Sequence, residues 1–329
     1  MFKLLEEAWQ ITKKYKFLWI FGIFTGYLLP RIFSGFSSIL NKNTKDFSGS
    51  LPDIKNNLSL LIDKLNIYNL ANISSSALIN QPEFYSFIYN LIAVVIFISL
   101  VLMLLSIISE ISLILSVNRI RKNEDINFKL ALKSSFKYFW RIFLFYIFII
   151  FCFLVAIIPV FFFILNDNTE SLLIYLAITL PFYIAFSFYI LIFSILGTRV
   201  IIINDMSLID GILTTNKIIR SKLKQSFKFL ASYVVLEIGL SFLLGLILAV
   251  LLPFAVGFFL IPSLENQQSI ISIVFKLFAF LIVLVSLLLV LIAKGAGSTF
   301  VSSWITLVYL DYFRERIKEE HSIITEFSN

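Results

Sequence analysis

Six long apolar runs alternate with polar segments along the chain, near residues 17–38, 85–110, 141–165, 171–197, 229–261 and 270–293. As a helix, a run of about 20 apolar residues crosses the hydrocarbon core of a bilayer. That solvent offers no partner for backbone N–H and C=O groups, so the chain must cross as helices or closed barrels, and runs of this length read as α-helices. The pattern predicts an all-α integral membrane protein with six transmembrane helices in a single polytopic domain over 1–329.

The polar segments entering the odd-numbered runs share a form. They read "FKLLEEAWQITKKYKFLWIF" from Phe2, "FKLALKSSFKYFWRIFLFYIF" from Phe128 and "SLIDGILTTNKIIRSKLKQSFKFL" from Ser207. In the first, Phe2, Leu5, Ala8, Trp9 and Thr12 form an apolar stripe. In the second, Phe128, Ala131, Leu132, Ser135, Phe136 and Phe139 form one, with Lys129, Lys133, Lys137 and Arg141 opposite at steps of four. In the third the stripe is Leu208, Ile212, Thr215, Ile219 and Leu223, and Ser207 with Asp210 has the spacing of a capping box. A helix of this kind lies in the membrane interface with its lysines toward anionic headgroups. The chain thus predicts three hairpins, each preceded by an amphipathic interfacial helix. Proline recurs in the first span of each hairpin, at Pro30, Pro159 and Pro253.

Charge orients this plan. Most of the 27 basic residues cluster before run 1, between runs 2 and 3, between runs 4 and 5, and after run 6, whereas "NDNTE" and "SLENQQS" contain none. Lys and Arg mark the cytoplasmic side, so both termini are expected there, in the cell membrane of a prokaryote. Topology accounts for the net charge of +7, and no nucleic-acid partner is expected. The segment 41–83 becomes a long outer loop, in which Ile54, Leu58, Leu61, Leu65 and Tyr68 keep helical spacing. Composition agrees: 59% apolar and 14% charged residues depart far from the usual soluble mix of about 45–50% and 25%.

Polar residues inside the runs are the candidate chemistry. Glu110 in "LLSIISEISLIL", Glu237 in "SYVVLEIGLSF" and Lys294 in "LIAKGAGS" are a candidate intramembrane polar cluster, because a buried charge in a span needs a partner. The alternative is a set of interface carboxylates on nearby basic residues with a snorkelling lysine. Pro181 is a candidate kink. Gly22 with Gly26, and the small residues of "KGAGSTFVSSW", predict close helix crossings. Trp9, Trp19, Trp140 and Trp304 suit an aromatic belt. Lys13, Lys14, Lys16, Lys129, Lys133, Lys137, Lys222 and Lys224 are candidate anionic-lipid contacts. With one histidine, His321, and one cysteine, Cys152, a zinc site of ordinary composition is not expected. No phosphate loop or nucleophile elbow occurs, so no cofactor and no enzyme activity are expected.

The stretches "AWQITKKYKFLWIFGIF" and "SSWITLVYLDYF" resemble the start and end of bacterial and archaeal multi-pass proteins often labelled as similar to the membrane domain of glycerophosphoryl diester phosphodiesterases. The resemblance implies six spans with basic elbows. It implies no hydrolysis, which in that group belongs to a separate soluble barrel. The expected function is non-enzymatic: organising, sensing or moving lipids or small molecules. The alternatives are a permease subunit served by a separate ATPase, with "NDMSLIDGILTTNK" as its docking element, and, third in order, a membrane-embedded enzyme. The partners weighed are the bilayer with its anionic headgroups, an ATPase and a second copy of the chain.

Overall fold

The computed structural model describes residues 2–25, 82–165, 169–260 and 270–314, and every element among them is helical. They are α1 (Phe2–Lys14), α2 (Leu18–Phe24), α3 (Pro82–Arg121), α4 (Phe128–Leu165), α5 (Thr169–Ile203), α6 (Leu208–Ser221), α7 (Leu223–Leu260) and α8 (Ile270–Val308), which closes in a π-turn over Tyr309–Phe313. Five of these helices are long and apolar enough to cross a membrane. The chain divides into two compact units, Gly26–Leu105 and the remainder. Of the first unit, residues 82–105 are described and form the beginning of α3. The second holds the core described below. The predicted outer loop 41–83, with its helical stripe, lies outside the described residues apart from Pro82 and Glu83. Pro30 and Gly26 also lie outside them.

Several predicted boundaries need correction. Of the first apolar run, placed near 17–38, residues 26–38 lie outside the described residues. Within the described part α2 ends at Phe24, because Thr25 is extended and closes the turn with its N–H on Phe21 O and its hydroxyl on Gly22 O. The other corrections lengthen helices at the basic end. α3 continues to Arg121, α5 to Ile203 and α8 to Val308. Arg199, Lys294 and the small-residue run are therefore helix interior, not loop. Hydropathy falls where these helices enter the polar end of the bundle, but their hydrogen-bond ladders continue. α3 and α5 then end in left-handed residues, Asn123 at φ 58° and Asp205 at φ 51°. Asn and Asp tolerate that conformation better than most residues.

The three elbows differ. α1 is separate from α2, and α6 is separate from α7, with Lys222 at φ −121°, ψ 39° between them. The second elbow is no separate helix: α4 runs continuously from Phe128 through the apolar run. One buried stripe explains why, since Ala131, Ser135, Tyr138, Ile142, Phe145 and Ile149 recur at steps of three and four and keep one face on the core. α6 starts as its sequence predicts, with Asp210 N donating to Ser207 Oγ at 3.3 Å.

Packing turns the elbows onto the protein. In α1 the buried residues are Leu4, Ala8, Ile11 and Thr12, whereas Phe2 is 88% exposed. The expected membrane-facing stripe is thus split, with Ala8 and Thr12 inward and Phe2 and Trp9 outward. Small residues set the crossings. A Cβ on Gly22 would overlap the Gly295 carbonyl, and one on Gly295 would stand 2.6 Å from Trp19 O. Thr299 Oγ1 donates to Leu18 O at 3.0 Å in the same crossing. Trp304 is no belt residue: it is buried and stacks on Phe229 at 5.7 Å. Trp140 and Trp9 are exposed, and Trp19 donates to Thr12 O at 2.9 Å.

Candidate functional site

An apolar helix has no way to satisfy a carboxylate by itself, so Glu110 needs donors from its neighbours. α4 and α5 supply them. Arg199 Nη1 donates to Glu110 Oε1 at 3.1 Å, and Tyr146 OH donates to Glu110 Oε2. Thr198 Oγ1 stands 3.4 Å from Oε1. The same Arg199 nitrogen donates to Ile195 O at 2.9 Å and to Thr198 Oγ1 at 2.8 Å. The Arg199 side chain is 4% exposed and the Glu110 side chain 21%. Gly197 lets α5 approach α4 here, because a Cβ on it would strike the Phe145 ring. Three helices are therefore joined through one ion pair in which both Glu110 oxygens accept and Arg199 Nη1 donates, while Arg199 Nε is buried without a hydrogen-bond partner among the described residues.

α7 brings the second carboxylate. Tyr233 OH donates to Glu237 Oε1 at 3.2 Å, one helical turn away. Tyr233 also lies within electrostatic reach of Arg199 and Glu110, so α7 borders the cluster. Lys294 is half-buried in α8, next to Gly295 at the α2 crossing. Glu110 takes an arginine and a tyrosine, and Glu237 takes a tyrosine of its own helix. Arg199, Tyr146, Thr198 and Tyr233 were missed by sequence reasoning. A signal existed for Arg199, which stands in "SILGTRVIII" with apolar residues on both sides. Pro181 lies inside an uninterrupted α5.

The basic end is laced by further pairs. Arg121 meets Asp311 at 2.5 Å and Glu7 at 3.8 Å, linking α3 to the π-turn and α1. Asp205, in the turn after α5, accepts from Lys137 at 2.5 Å and Arg141 at 2.7 Å. The Lys137 hydrogen bond, with Arg141 beside it, holds the Asp205 carboxyl below the usual carboxylate range. Asn204 Nδ2 donates to Tyr309 OH at 2.7 Å, and Lys222 Nζ donates to Tyr312 O.

These pairs divide the eight candidate lipid-contact lysines. Lys137 and Lys222 are engaged with the protein. Lys13, Lys14, Lys16, Lys129, Lys133 and Lys224 are exposed, and none has an acidic group within 4 Å among the described residues. The same elbows carry exposed apolar side chains: Phe2 and Trp9 in the first, Phe136 and Trp140 in the second, Ile209 and Leu213 in the third. Each elbow thus has one face on the core and another, apolar and basic, turned away from it. No curated protein and no solved structure matches the chain. A family model covers residues 5–317, nearly the whole chain, and the chain belongs to that Family of unknown function (DUF7544).

Proposed function

We propose that this is a non-enzymatic multi-pass protein of a prokaryotic cell membrane, with six spans in three hairpins and both termini in the cytoplasm. It organises, senses or moves lipids or small molecules at the inner leaflet. One observation carries the reading: every elbow carries both exposed aromatic or aliphatic side chains and exposed lysines. Aromatic and aliphatic groups partition into the interface, and lysines draw anionic headgroups. The likeness to the membrane domain of glycerophosphoryl diester phosphodiesterases adds the six-span plan and no hydrolysis. The Glu110–Arg199 cluster serves as a pin between helices, fixing the frame that holds the elbows.

The test is native mass spectrometry of the purified full chain extracted from phosphatidylglycerol-containing membranes. Replacing Lys129 and Lys133 by Gln is expected to lower anionic-lipid retention by about fivefold per lysine. Lys137→Gln has a smaller effect, since Asp205 already holds that charge. Unchanged retention in the double variant sinks the proposal. The exposed pair Ile209 and Leu213 on α6 also favours a second reading, a permease subunit on which a separate ATPase docks. Copurification of an ATPase with the wild type, and its loss with Leu213→Lys, distinguishes that reading.

A further inference from the structure

An open groove of about 680 Å³ lies between α1, α7 and the end of α8. Clefts that hold small ligands have volumes of about 300–1,000 Å³. Buried Trp304, Val308 and Phe313 back the groove, and Phe2 and Leu5 contribute from α1. Along α7 its lining changes polarity in one direction. Gln225 and Lys228 come first, then Ala231 and Ser232, then Val235 and Leu236. At a 1.5 Å rise per residue, Gln225 to Leu236 covers about 16 Å, roughly half of a 30 Å hydrocarbon core. The polar end of the groove lies at the basic end of the bundle, where Tyr312 meets Lys222.

We propose that this groove seats a single anionic phospholipid, its phosphate on Lys228 and an acyl chain along Val235 and Leu236. Three features select that occupant. The lining runs from polar to apolar over one leaflet, as a phospholipid does. Lys228 is the one charged residue of the lining among the described residues, so the headgroup end is positive. Phe2 is 88% and Val235 69% exposed, so the groove opens where acyl chains are the solvent. The inference rests on the lipid-facing reading of the basic end, and it adds a defined seat that the elbow lysines do not form.

The experiment uses the full chain in nanodiscs of equal parts phosphatidylglycerol and phosphatidylcholine, stripped in detergent and weighed by native mass spectrometry. The wild type is expected to retain one phosphatidylglycerol per chain. Lys228→Gln, at an exposed position, lowers the preference for phosphatidylglycerol over phosphatidylcholine by about fivefold. Ala231→Trp fills the groove and removes the retained lipid of both kinds, with an unchanged melting curve as its folding check. Retention unchanged in both variants overturns the proposal. So does an Ala231→Trp variant that turns a dimer into a monomer without losing lipid, which makes the groove an interface between copies. If Lys129→Gln with Lys133→Gln lowers bulk anionic binding while the groove variants change nothing, the groove fails and the elbow reading stands. If the groove variants act and the elbow variants do not, the seat stands without the elbows.

Discussion

Glu110 and Glu237 look alike in the sequence, each a lone carboxylate in an apolar run, and the fold treats them differently. Glu110 faces two other helices and collects an arginine and a tyrosine from them. Glu237 takes its hydrogen bond from Tyr233, four residues back on α7. One carboxylate joins helices, while the Tyr233 hydrogen bond of the other closes within a single helix. The difference teaches that a charge in a span is read by what it crosses to. An i, i+4 partner satisfies a group locally, whereas a partner on another helix commits the tertiary structure.

The largest expected effect breaks the cross-helix pair. Glu110→Ala strands Arg199 in a buried site and should cost about 3–5 kcal/mol, the usual penalty for leaving one buried charge unpaired. Thermal unfolding of the purified protein in detergent measures it. Replacing both partners with apolar residues, Glu110→Leu with Arg199→Met, should recover most of the loss. If Glu237→Ala costs as much as Glu110→Ala, the distinction between the two sites disappears.

Tyr146→Phe comes next. It removes a hydrogen bond to a charged group, worth about 1.5–3 kcal/mol, and the same melting experiment reads the shift. Glu237→Gln should change stability by less than about 1 kcal/mol, because the amide oxygen still accepts from Tyr233. A large fall there would mean that the Glu237 charge is held across helices too.

The smallest effect belongs to Asp205, in the exposed turn after α5. Its folded pKa is lowered, so its pairing stabilises the protein above the ordinary carboxylate range. That contribution fades as pH falls through the folded value, below that range. Solvent screening limits it to about 0.2–1 kcal/mol. A melting series from neutral to acidic pH should therefore show a small extra loss in the wild type that Asp205→Asn lacks. An identical pH dependence in both proteins contradicts the pairing.

Much of the fold was legible in the sequence because apolar runs and caps are local signals. The start of α6 at Ser207 and Asp210 was one. The small residues of "KGAGSTF" were another, and they meet α2 at Gly22 and Gly295. The elbows were legible as amphipathic segments, but their packing was not. Helical spacing gave the stripe of α1, but the buried face fell to Leu4 and Ile11, while Phe2 stayed exposed. Boundaries failed where charge and hydropathy were read as loop. Arg199 stays in the helix because Glu110 neutralises it, and Trp304 leaves the expected belt because Phe229 offers it a stacking face.

The sequence by itself determined the long helices apolar enough to cross a membrane, the helical class and the concentration of basic residues between alternate apolar runs. Those follow from composition and periodicity, which depend on near neighbours in the chain. Only the tertiary structure decided which carboxylate became a pin, which lysines were taken by the protein and where a lipid-sized groove opened. Each depends on the distance between residues far apart in sequence, which helical spacing within one segment does not specify.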